Sequence, residues 1–350
     1  MKTSDKSGSK TQSDKDHMTT TFSIIICTYN RSDILRFCLN SISKIKNNPK
    51  FNYDILIIDN NSNDSTQQTV KDFLLTLPSA QRSKWSYHLE KHQGLSNARN
   101  RGISESGGNW LVFLDDECDV DADWLDRLYC VIGHKSPVMV GGPYRGKYLP
   151  EIDKRHYAKG FLEKFGDSYH IRDDWQERWL SKPGLSGGNM AIRRDLLEKV
   201  GTFDPNFGMS GSKTRYGEET ELQLRILALC PNNSIYFSPD LELVHYIRPE
   251  KTKLLASLQS CIQRAKNVAN LQRSHPQYAS SSSNLFLLKL WILVRRSFEL
   301  MIFVAVQFLK AGVKRAPISR PCYEVIYSGK LQALVQVAFS VVDIVRHNRP

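Results

Sequence analysis

The strongest constraint on the fold is a unit that recurs within the first 115 residues: a short apolar run followed by a stretch with helical spacing. Residues 22–28 (FSIIICT) are the first run, and Ile34, Leu35, Cys38, Leu39 and Ile42 mark one face of the helix behind it. Residues 53–58 (YDILII) and 85–89 (WSYHL) come next, each followed by a helix, over 64–77 and 95–105, and residues 110–114 (WLVFL) are the fourth run. The first and fourth runs have almost no polar face to turn to water, so they read as strands buried on both sides. Strand and helix alternating at this spacing specify an α/β fold with a mostly parallel, doubly wound sheet, in which ligands gather at the carboxyl ends of the strands. Those ends carry Thr28, Tyr29 and Asn30, then Asp59, Asn60 and Asn61, then Asp115, Asp116 and Glu117, so polar residues converge on one edge.

The junction after residue 114 has the clearest chemistry. A buried strand that delivers three acids in a row concentrates negative charge, which is unfavourable unless a cation meets it. Mg²⁺ or Mn²⁺, held by one or two carboxylates and the phosphates of a substrate, would meet it; so would water, if the acids form a solvated turn continuing into Asp119, Asp121, Asp123 and Asp126. Farther along, the alternation fades. Residues 143–184 are rich in Tyr, Lys, Trp and Gly without a clean period and read as a substrate-side excursion. After them come SGGNMAI (186–192), a helix over 193–200, an acidic helix start at 217–222, and His245 in an apolar setting.

Segments SIIICTYNR (23–31), ILIIDNNSNDST (55–66), GLSNARNRGI (94–103), WLVFLDDE (110–117), LSGGNMAIRRDLLEKVGTFD (185–204) and GEETEL (217–222), in this order and spacing, resemble the inverting family 2 glycosyltransferases of GT-A fold. The resemblance covers about residues 22–250 and implies transfer of a sugar from a nucleotide-diphosphate sugar to an acceptor hydroxyl, in polysaccharide or glycolipid synthesis. It makes Asp59 the acceptor for the nucleotide base or ribose, where an Asx turn is the competing use. Thr28 and Asn30 would line the nucleotide pocket, unless Asn30 merely caps a helix. Asn97 and Arg99 would help hold the donor at a helix N-terminus, and Gly187, Gly188 and Asn189 would shape the sugar pocket. Asp115 and Asp116 would also face the donor, and Asp115, Glu117 and His245 would hold Mn²⁺ or Mg²⁺. Glu117 stands where the family's Asp-x-Asp motif has its second Asp. Glu219 stands where the family has the general base, usually Asp, and helix-dipole complementation is its alternative use. The two Asp-to-Glu departures keep open a catalytically inactive sugar-nucleotide-binding protein of the same fold.

Charge divides the chain. Residues 1–246 carry 32 Lys and Arg against 32 Asp and Glu, whereas residues 247–350 carry 16 against 4. An anionic partner for the last third follows. Nucleic acid is disfavoured, because the aromatic residues there lie among apolar ones and no recognition motif is present. Over residues 285–310 the polar side chains Lys289, Arg295, Arg296, Glu299, Gln307 and Lys310 fall within about 120° of arc on a helix of about 100° per residue. Four charges between 289 and 299 argue against a transmembrane span and for a helix lying at an anionic membrane surface. Residues 331–346 repeat the pattern, and a helical hairpin packed on the catalytic domain or pairing two protomers is the alternative. The expected organisation is therefore a disordered tail (1–20), a glycosyltransferase domain (21–274), a Ser-rich linker (275–284) and a basic amphipathic helical region (285–350). Seven scattered cysteines without CxxC spacing and a polar N-terminal stretch read as a cytoplasmic protein, peripheral on the membrane.

Overall fold

The computed structural model describes residues 19–149, 176–210, 217–275, 286–313, 319–328 and 330–347. Apart from Thr19 and Thr20, the second of which opens the first strand, the expected tail lies outside the described residues, as does the expected Ser-rich linker apart from His275. The four anticipated runs are β1 (Thr20–Thr28), β2 (Phe51–Asp59), β3 (Trp85–Leu89) and β4 (Trp110–Asp115). They lie side by side in the order β3-β2-β1-β4, all parallel.

Consecutive side chains of β1 serve opposite faces, as the pleat requires. Ile24 and Ile26 pack with Leu35, Cys38 and Leu39 of the helix Ser32–Ile42 and with Trp124 and Leu128 of the helix Trp124–Lys135. Ile25 faces the other way, toward Ala98 of the helix Leu95–Glu105 and Leu222 and Ile226 of the helix Glu218–Leu229. All three isoleucines are fully buried, and such burial stabilises by about 1.5–3 kcal/mol per side chain. The sheet is thus doubly wound.

Its far half departs from the parallel expectation. The remaining strands are β5 (Cys118–Asp119), β6 (Met139–Gly141), β7 (Tyr144–Tyr148), β8 (Arg178–Leu180), β9 (Asn189–Arg193), β10 (Ile235–Phe237) and β11 (Leu243–Ile247). The large sheet runs β3-β2-β1-β4-β9-β6-β10-β8, with β9 antiparallel to both β4 and β6 and β8 antiparallel to β10. Strands of three residues are too short to show a period. A separate three-stranded sheet, β5-β11-β7, stands at the carboxyl edge.

The helix Leu254–Ser274 packs on the helices Ser319–Tyr327 and Lys330–His347, and the helix Phe286–Val313 packs on the same two. The buried Tyr323 hydroxyl donates to Thr252 O at 2.6 Å, joining this helical group to the end of the α/β domain. Among the described residues no helix is long and apolar enough to cross a membrane.

Candidate active site

The antiparallel return of β9 shapes the site. Leu114 pairs with Asn189, so the turn before β9 folds over the end of β4, and Asp115 N donates to Gly188 O at 3.2 Å. A Cβ added at Gly188 would sit 2.0 Å from Asp115 Cγ, and one at Gly187 would sit 2.5 Å from Arg99 Nη2. A side chain at either glycine would have to displace Arg99 or Asp115, which accounts for the paired glycines. Tyr144 Oη donates to Asp115 Oδ2 at 3.4 Å, and Asp115 keeps a third of its side chain exposed.

The small sheet supplies the next layer. In the β5–β11 register His245 lies opposite Cys118, and Tyr246 N donates to Glu117 O at 2.8 Å. That pairing carries the His245 ring to the acids: Nε2 is 3.2 Å from Glu117 Oε1 and 4.0 Å from Asp115 Oδ2. Glu117 and Asp116 are buried and meet two cations, Arg31 and Lys251, to which the sequence assigned no part in the site. Arg31 Nη1 donates to Asp116 Oδ1 at 2.8 Å and stands 3.3 Å from Glu117 Oε2, while Lys251 Nζ pairs with Glu117 Oε1. Burial opposes ionisation of Glu117, but Lys251, Arg31 and His245 together hold its carboxyl well below the usual carboxylate range. Asp116 goes the other way: burial raises it more than Arg31 lowers it.

The acidic helix start adjoins the Gly187 turn through Arg99. Gly217 takes a left-handed φ of +100° before the helix Glu218–Leu229. Glu218 is buried and accepts from Arg99 Nη1 at 2.6 Å, and the Arg99 guanidinium lies over the Phe203 ring, 5.2 Å from its centroid. Glu219 is partly buried with its carboxyl pushed up to about 8, chiefly by desolvation and then by the charge of Glu218, with Arg99 opposing. Arg99 therefore ties its own helix to the helix Glu218–Leu229, its guanidinium engaged by Glu218.

Other expected residues are distributed less simply. Thr28 is buried at the end of β1, its carbonyl accepting from Asn60 N at 2.9 Å. Asn30 has φ +52° and accepts from Asn63 N at 2.8 Å, so it braces a loop. Asp59 is buried at the end of β2, where Oδ1 accepts from Ser62 N (2.9 Å) and Oδ2 from Tyr87 Oη (2.7 Å); a carboxylate has about four acceptor sites, so each oxygen retains one unused. Two residues lie apart. Asn97 lines an open depression with Glu90, His92 and Arg101, because a step of two residues turns it roughly 200° from Arg99 around their helix. Asn189 is fully buried and donates to Pro143 O (3.1 Å) and Leu241 O (2.8 Å), tying strands together.

Among the described residues no group of three or more His, Cys, Asp or Glu is spaced as a ready metal cage. The donor chemistry nevertheless fits a hard divalent cation. Asp115, Glu117 and His245 supply two carboxylates and an imidazole, and buried Glu117 Oε2 has no hydrogen bond, only the Arg31 charge beside it.

A sequence model of the family described as Glycosyl transferase family 2 matches residues 23–201, just over half of the chain. The chain belongs to that family. This family 2 glycosyltransferase is 28% identical over 230 residues to Glycosyltransferase AglE of Haloferax volcanii, covering 65% of this chain and 67% of that protein. It is 27% identical over 271 residues to Inactive polypeptide N-acetylgalactosaminyltransferase-like protein 5 of Macaca fascicularis, covering 69% of this chain and 55% of that protein. The chain thus spans between about half and two thirds of these relatives. Among solved structures, the mannosyltransferase PcManGT from Pyrobaculum calidifontis, in complex with GDP-Man and Mn²⁺, superposes with a TM-score of 0.53 at 14% identity, covering 94% of this chain and 76% of that one. At that identity the likeness shows the GT-A fold of the glycosyltransferase alone.

Proposed function

We propose that the protein moves a sugar from a nucleotide-diphosphate sugar to an acceptor hydroxyl, on a glycan or glycolipid, with inversion at the anomeric carbon. The observation that carries this reading is the buried Arg99–Glu218 pair at the helix start, which places Glu219 next to the Gly187–Gly188 turn that packs on Arg99 and Asp115; burial and the Glu218 charge push the Glu219 carboxyl up to about 8. A carboxylate of raised proton affinity is a competent base near neutral pH. Glu219 takes the proton of the acceptor hydroxyl as that oxygen attacks; the sugar's bond to the diphosphate breaks, and its electron pair leaves with the diphosphate. Asp59, with an unused acceptor site on each oxygen, takes a hydrogen bond from the nucleoside, and Thr28 closes the floor beside it. Asp115, Glu117 and His245 would hold Mn²⁺ or Mg²⁺, which when bound would supply positive charge to the diphosphate. The test is donor turnover by Glu219→Gln: a loss of roughly 10²-fold or more is expected, the scale for removing a general base, with donor affinity nearly unchanged. Equal turnover would reassign the base, and absence of any donor cleavage by the parent protein would favour a sugar-nucleotide-binding protein without turnover.

The C-terminal helices attach the enzyme peripherally to an anionic membrane surface. On the helix Phe286–Val313, Trp291, Val294, Phe298, Met301, Leu309 and Val313 are exposed. On a helical wheel these positions occupy one continuous face, while Arg295 and Arg296 lie beside it and the last third carries the chain's whole excess of positive charge. Pairing of two such faces in a homodimer is the competing use of the same surface.

A further inference from the structure

The three acids after β4 do not share their cations equally. Asp116 and Glu117 both contact Arg31, and Glu117 in addition holds Lys251 Nζ and His245 Nε2. Asp115, the ligand with the most open side chain, pairs with no lysine or arginine among the described residues; its contacts are Tyr144 and His245. One expected metal ligand is therefore open, while the other is already closed by an ammonium. That ammonium sits on a more flexible stem than the Arg31 guanidinium. Lys251 lies on the one-turn helix Pro249–Thr252, directly after the strand that carries His245, and a third of its side chain is exposed. Its four-carbon stem gives a point charge free to move while the backbone stays fixed, in contrast to a planar guanidinium bound to two acids.

We propose that Lys251 is a tethered cation that occupies the divalent-ion position on Glu117 in the ion-free protein and, once displaced, serves the donor's diphosphate. The proposal rests on the glycosyl-transfer reading above. Its physical content is a competition. A divalent ion alone must evict Lys251 from Glu117 and leave an ammonium without its carboxylate in a partly buried place, which opposes binding. An ion that arrives with a diphosphate gives the freed ammonium a new anion, which removes the opposition. Metal and nucleotide then bind with positive coupling, and by linkage each raises the affinity of the other by the same factor. Buried Thr252, whose carbonyl accepts from Tyr323 Oη, keeps the backbone of this turn in place while the lysine head moves.

The experiment measures Mn²⁺ affinity from the paramagnetic signal of the free aqua ion, on the full chain, without nucleotide and with saturating UDP or GDP, for the parent protein, Lys251→Met, Lys251→Gln and Lys251→Arg. In the parent, nucleotide diphosphate should tighten Mn²⁺ by about fivefold or more, the lower end of ordinary coupling between sites. In the Met and Gln variants Mn²⁺ alone should bind more tightly than in the parent, and the factor contributed by nucleotide should shrink toward one. The Arg variant, which keeps the charge, should retain part of the coupling. In a Glu117→Gln background, Lys251→Met should change Mn²⁺ affinity no further, since the two act as one pair. If Mn²⁺ affinity and coupling are the same in parent and both neutral variants, the proposal fails while the transfer reading stands. If the parent binds neither Mn²⁺ nor nucleotide diphosphate, both fail.

Discussion

Glu219 has a pH signature that follows from its surroundings. Burial and the Glu218 charge raise it from an ordinary carboxyl to about 8, so the basic form gains population as pH rises through 8. Transfer rate limited by this base should therefore climb between about pH 7 and 9, and Glu219→Gln should abolish the climb together with most of the activity; a profile that is flat in the parent would remove Glu219 from the role. Stability runs the other way. A carboxyl whose folded pKa lies above its unfolded value must give up its proton as pH rises, so its contribution is whole below about 4.3 and is lost toward 8. The Gln variant should show a smaller fall of melting temperature across that window. At the metal end, Asp115→Ala should weaken nucleotide diphosphate binding in Mn²⁺ and leave metal-free binding almost unaltered, as read by titration calorimetry; equal loss in both conditions would make Asp115 a direct nucleotide contact. Of this site the sequence displays the acids and His245, because each sits in a local pattern. Arg31 closes the segment 23–31 and Lys251 carries no pattern; neither is legible as a partner of Glu117, which they reach only through contacts separated by 86 and 134 positions in the chain.

Among the elements, the helix Glu218–Leu229 is joined to the helix Leu95–Glu105 by a buried charge pair. Arg99 comes from a different helix, is almost wholly enclosed, and holds Glu218 from beneath Gly187. Replacing it with Met would leave a carboxylate buried without a partner, a change that typically destabilises by about 3–5 kcal/mol. The expected result for Arg99→Met is a large drop in the denaturation midpoint, partly restored by adding Glu218→Gln, which removes the stranded charge. A neutral effect of the single substitution would show that water reaches the pair. The same helix illustrates what sequence reveals about elements. Its acidic start at 217–222 was readable, as were β1 to β4, where long apolar runs give a period. The three-residue strands β6, β8 and β10 offer none, and the antiparallel direction of β9 is fixed by its long-range pairing with β4 and β6. From the glycines at 187 and 188 one reads a close approach, but not that the approaching groups are Arg99 and Asp115.

At the scale of the whole molecule, the C-terminal helices carry two surfaces with different fates. One is internal: the helices Ser319–Tyr327 and Lys330–His347 cover the helix Leu254–Ser274, and Tyr323 bonds to Thr252 next to the site. The other points outward, with Phe298 58% and Met301 60% exposed on the helix Phe286–Val313. Truncation after Ser280 removes both, so it should lower the melting temperature and is a poor test of attachment by itself. Substituting the outward face alone separates the two. Phe298→Ser with Met301→Ser should leave folding and nucleotide binding as in the parent, since exposed positions contribute little packing. The same variant should bind vesicles containing anionic lipid more weakly than the parent, whose own binding should exceed that to neutral vesicles and fall with added salt as headgroup attraction is screened. If the parent ignores lipid, and the double substitution instead converts a dimer to a monomer in sedimentation, the apolar face pairs two copies of the enzyme and the basic charge beside it has another use.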